Sequence, residues 1–186
     1  MKIRTLLAMG GLTLSLVSGS ALAQDKASKQ AEIRKGTQGS LQKFYQADPK
    51  LKDAVAKSPG YAVFTTYGFS FILGGAGGKG LVHDNATKKD TFMSMAQASA
   101  GLQIGASQTE TLIIFKTAKA MGDFVTTGWE AGGGATASAG GGGKTAGQGV
   151  GENVIADAAY YSMTKTGLEA GVAAAGTKYW KDSDLN

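Results

Sequence analysis

Glycine placement limits this chain more than any other feature. The sequence holds 29 glycines, and 24 of them fall between Gly60 and Gly176. A glycine in a helix interior costs about 1 kcal/mol relative to alanine, so this stretch is poor helix-forming material. Short apolar or alternating runs lie between the glycines. Residues 61–66, 68–73, 80–83, 91–96, 101–106 and 111–117 read as strands, followed by 129–138, 156–163 and 168–175. Asp84-Asn85-Ala86-Thr87 is a good turn between two of them. Residues 118–124 predict a short helix, and the polar tail 178–186 predicts a short helix or a loose end. Many closely spaced strands with few helices imply an antiparallel sheet or barrel with its helices to one side. Glycines inside strands mark bends, bulges or close backbone approach.

Before Gly60 the period changes. Leu41, Phe44 and Tyr45 recur at i, i+3, i+4, as do Leu51, Ala54 and Val55. Asp48-Pro49 starts the second helix and Ser58-Pro59-Gly60 ends it. The expected fold class is therefore α+β: N-terminal helices packed on a glycine-rich, mostly antiparallel sheet or barrel-like core. Three segments are expected: a leader over 1–23, a basic helical segment over 24–57, and the glycine-rich core with its tail over 58–186.

The leader reading rests on Lys2 and Arg4, the short apolar run 6–17, and the small-x-small site Ala21-Leu22-Ala23. It predicts export to a periplasm or cell envelope, or secretion. The chain has no cysteine, which excludes disulfides and thiolate metal sites.

Charge is uneven. Residues 26–57 carry eight basic side chains (Lys26, Lys29, Arg34, Lys35, Lys43, Lys50, Lys52, Lys57) against Glu32, Asp48 and Asp53. Residues 58–186 hold nine basic and ten acidic residues. A basic front on a near-neutral body favours an anionic surface over a nucleic-acid cleft. Ile33 and Phe44 share a helix face, with Lys29 and Lys43 on one flank and Arg34 on the other. Such a stripe suits a headgroup layer. It suits packing on the domain's own core equally well.

Residues 138–145, S-A-G-G-G-G-K-T, approximate a phosphate-binding loop, but Ser138 replaces its first glycine. No strand–loop–helix context follows, so neither nucleotide nor other cofactor is expected. His83 is the lone histidine and reads as a surface residue. Trp129 and Trp180 read as packing residues. No nucleophile–base–orienter set is recognisable, so no enzyme is expected.

Five blocks stand in order: Y-A-V-F from Tyr61, G-F-S-F-I-L-G-G-A-G-G-K-G from Gly68, S-A-G-L-Q-I-G-A from Ser99, W-E-A-G-G-G-A-T-A-S-A-G from Trp129, and K-T-G-L-E-A-G-V-A-A-A-G from Lys165. Over about 120 residues this pattern resembles the SYLF domain family. The family's Phe and Glu in the last block are Glu169 and Ala175 here, and its nearby Arg is Thr164. The resemblance implies a lipid-binding domain. Eukaryotic relatives bind phosphoinositides through an amphipathic N-terminal helix and basic residues, and some bind actin. Mapped here, it implies that Lys29, Arg34, Lys35 and Lys43 attract anionic headgroups while Ile33, Leu41 and Phe44 contact the membrane boundary. Lys79 and Lys144, on glycine loops, would add headgroup contacts. Anionic lipid is the expected partner, and actin is implied only by the resemblance. Two readings compete: a structural or interaction protein of the cell envelope, and a small outer-membrane barrel.

Overall fold

Two helices open the described residues, α1 (Ser18–Ala47) and α2 (Lys50–Lys57), broken at Asp48-Pro49. The Asp48 carboxylate accepts a hydrogen bond from the Lys50 backbone N–H at 3.0 Å, which starts α2. At the far end the Ser58 N–H donates to the carbonyls of Ala54 and Val55. The Asn85 side chain donates to the Val55 and Ser58 carbonyls, tying α2 to the turn between the second and third strands. The computed structural model describes residues 18–70, 73–100, 105–130, 157–164, 167–171 and 176–186.

Among the described residues eight strands follow: β1 (Gly60–Ser70), β2 (Leu73–Asp84), β3 (Asp90–Ala100), β4 (Gly105–Phe115), β5 (Trp129–Glu130), β6 (Ala158–Thr164), β7 (Gly167–Gly171) and β8 (Thr177–Lys181). Helix α3 (Ala118–Thr127) separates β4 from β5. All pairings are antiparallel, and the sheet order is β5-β8-β3-β2-β1-β4-β6-β7. The sheet curls into a half-barrel, so the fold is α+β with helices against an antiparallel sheet.

Three expectations change. The runs 61–66 and 68–73 are not separate strands: β1 continues through Gly68 because both neighbours stay in register with it. The glycine cluster 74–80 lies inside β2 and is not a connection. Its glycines fit because β1 lies close: a Cβ on Gly80 would sit 2.1 Å from the Val63 carbonyl oxygen. The tail is neither loose nor helical. Thr177 and Tyr179 are buried while Lys178 and Trp180 point outward, the alternation of a strand. After β8, Asp182 Oδ1 accepts from the N–H groups of Asp184 and Leu185, and the Asn186 side chain exchanges hydrogen bonds with the Phe92 backbone.

The sheet buries both faces. On one, Val63, Leu112 and Ile114 pack against Leu41 and Phe44 of α1 and Leu51 and Val55 of α2. On the other, Phe64, Phe115 and Tyr179 close around Phe124 of α3. Helix α3 starts on Thr117, whose side chain accepts from the Ala120 N–H, and stops at Gly128. Gly128 has φ 77°, and a Cβ there would lie 2.3 Å from the Tyr179 carbonyl oxygen. Strand alternation supplies both faces, so α1 is held by the same sheet whose reverse carries α3.

Candidate functional site

Helix α1 meets the sheet along Ile33, Thr37, Ser40, Leu41 and Phe44, a spacing of three or four residues. Phe44 is 0% exposed and Leu41 8%, and Ile33 packs against Leu81, Phe92 and Leu185. The stripe offered to a membrane by the sequence is thus the packing face of the helix. The physical reason is the apolar surface of β1, β2 and β4 opposite it, which only tertiary structure brings there.

The basic residues of this segment are divided in role. Arg34 Nε donates to Asp90 Oδ2 at 2.7 Å, and His83 Nδ1 lies 2.7 Å from Asp90 Oδ1. The Arg34 guanidinium also sits 4.9 Å above the Phe92 ring centroid. His83 is thus half-buried in a polar cluster, not a bare surface residue. Burial alone would raise the Asp90 carboxyl, but the hydrogen bonds and charges of His83 and Arg34 outweigh it and hold it below the usual range. Lys43 pairs with Glu110 of β4, whose side chain is buried.

Lys79 is on β2, its backbone flanked by β1 and β3, and not on a loop. Its ammonium donates to Asp182 and, at 2.8 Å, to the Ser94 hydroxyl. Burial would raise the Asp182 carboxyl, yet these donors lower it overall. Lys29 pairs at 2.7 Å with Asp25 one helical turn away, and that pair raises the Lys29 ammonium. Lys35 is exposed and has no ion pair among the described residues. Lys144 and the whole run 138–145 lie outside the described residues.

A groove of about 660 Å³ opens between α1 and the glycine-rich strands. Lys29, Ile33 and Gly36 form the helix wall, Val63 and Gly77 the floor, and Trp180 the far rim. Trp180 is 40% exposed, so it is not the packing residue the sequence implied, whereas Trp129 is buried. The groove escapes sequence reasoning because Trp180 reaches it from the last strand. Among the described residues no helix is long and apolar enough to cross a membrane, and no cluster of His, Asp and Glu has the makings of a metal site.

The family model described as Las17-binding protein actin regulator (Ysc84) matches residues 96–186. Over those residues the chain matches the Ysc84, or SYLF, family. The SYLF match starts within β3 and takes in Glu110, Trp180 and Asp182, while α1 precedes it. The chain is also 32% identical over 162 residues to Beta cell expansion factor A of Aeromonas veronii, covering 86% of this chain and 60% of that protein. SYLF domains are lipid-binding in general and form no known enzyme class.

Proposed function

We propose that this chain is an exported, non-enzymatic module that binds anionic lipid at a membrane surface. One observation carries the reading: Arg34 and Lys43 of α1 stay about half exposed while the carboxylates they pair with are mostly out of solvent. The side chains of Arg34 and Lys43 are 45% and 56% exposed, against 16% for Asp90 and 7% for Glu110. Lys29 and Lys35 are exposed beside them. Each basic group near an anionic surface contributes about 1 kcal/mol of attraction. Export rests on the leader pattern of residues 1–23. Co-sedimentation with vesicles tests the lipid reading. Binding to phosphatidylglycerol vesicles that falls with salt supports it, and equal binding to neutral vesicles, or none, refutes it.

The internal pairing of Arg34, Lys43 and Lys79 favours a second reading, an envelope interaction protein whose basic helix serves its own fold. Lys29→Gln with Lys35→Gln separates the two, because neither residue holds α1 to the sheet. The lipid reading expects weaker vesicle binding, and the second reading expects no change.

A further inference from the structure

We propose that the groove between α1 and β2 holds the hydrocarbon chain of a single-tailed fatty carboxylate, an inference that rests on the lipid-binding reading above. Two glycines on opposite walls keep the space open. A Cβ built on Gly36 or on Gly77 meets no atom within 4 Å. The backbone of Gly77 is in register with strands on both sides, so the sheet takes up its polar groups. Ile33, Val63, Met95 and Trp180 give the interior apolar lining, beside the polar side chains of Thr65 and Ser94. An apolar occupant gains from displacing water there.

Size selects one chain. A groove of about 660 Å³ is of the size that takes one small apolar ligand. Charge selects the headgroup. The Lys79 ammonium is already taken by Asp182 and Ser94, and Asp182 is 4% exposed, so that pair does not exchange. Lys29 differs: it and Asp25 are both 59% exposed, and such a pair contributes little. A ligand carboxylate replaces Asp25 on Lys29. Glu32 on the same wall disfavours a multiply charged head, which leaves a monoanion.

Myristate below its micelle concentration is the probe, and Trp180 emission with calorimetry is the readout. The full chain is expected to bind one myristate saturably, with an emission change that Trp180→Phe removes. Gly77→Leu, which fills the floor, is expected to weaken binding at least tenfold at an unchanged melting temperature. If Gly77→Leu does not fold, Gly36→Phe plugs the groove from the opposite wall. No saturable binding, or undiminished binding in a folded plugged variant, overturns the inference. A chain that binds phosphatidylglycerol vesicles but not myristate defeats the groove alone. One that binds myristate but not vesicles supports the groove and defeats the surface reading.

Discussion

Arg34 on α1 and Asp90 on β3, 56 residues apart in sequence, meet Nε to Oδ2 at 2.7 Å. The cation is half in solvent and the carboxylate mostly out of it. The same polarity recurs where Lys43 meets Glu110 and Lys79 meets Asp182. These pairs fasten α1 and the C-terminal turn to one sheet face while leaving positive charge at the rim.

Removing Arg34 therefore costs stability as well as charge. Arg34→Ala is expected to destabilise the fold by about 1–2 kcal/mol, between an exposed and a buried pair, because Arg34 is 45% exposed. Arg34→Lys keeps the charge but loses the Nε geometry and weakens the contact with Phe92, so it should fall between. Urea denaturation measures both.

Phe44→Ala is expected to cost about 3–5 kcal/mol, as for any large side chain deleted from a core. Its 0% exposure leaves nothing for a membrane to meet. Chevron or equilibrium unfolding checks the loss. A variant as stable as the parent would return Phe44 to the membrane-contacting role.

Two glycine substitutions should move in opposite directions. Gly36→Ala places a Cβ in open space on a helix and is expected to stabilise by about 0.5–1 kcal/mol. Gly80→Ala drives a Cβ to 2.1 Å from Val63 O and 2.5 Å from Phe64 Cδ1, and is expected to destabilise by about 3 kcal/mol or more. Thermal melts of the two decide it.

Acid and alkali should act through different residues. The Asp90 and Asp182 carboxyls sit below their ordinary value of 3.8 when folded. The stability they carry is present above that value and is lost as pH falls through their lower folded values. Melting temperature should therefore hold down to about pH 4 and fall beneath it. Asp182→Asn should start lower and fall less. At the other end, burial pushes Tyr61 up to about 12, helped by Tyr45 and Asp90. Its contribution is full below 10 and lost as pH rises toward 12. Phenolate absorbance should show late tyrosines, and Tyr61→Phe should remove one of them, leaving Tyr179 and Tyr45, which burial also raises.

Local chemistry made part of the fold legible in the sequence. The Asp48-Pro49 break, the turn after Asp84 and the helix opened by Thr117 each depend on neighbouring residues, and each was readable. Glycine misled where tertiary structure overrides local preference. Gly74 to Gly80 reads as a loop, yet neighbours on both sides hold it as strand. The tail misled by its polarity: Thr177, Tyr179 and their outward neighbours alternate, but charges at Lys178 and Lys181 mask the period.

The site was legible only as a concentration of charge. Which cations remain free depends on Asp90, Glu110 and Asp182, which lie 56, 67 and 103 residues from their partners. Whether an apolar stripe faces lipid or core depends on what the sheet sets opposite it. Thr37 and Ser40, buried on the same helix face, carry no hydrophobic signal. The groove joins α1 to a tryptophan on the last strand, a meeting that no local pattern announces.

Amide hydrogen exchange of the chain with and without phosphatidylglycerol vesicles tests the central claim most directly. The account predicts a vesicle-bound protein in which the amides of residues 33–44 keep their protection, because surface cations bind while Phe44 stays on the sheet. A protein that stays free in solution, or one whose helix loses protection over those residues on binding, would contradict it.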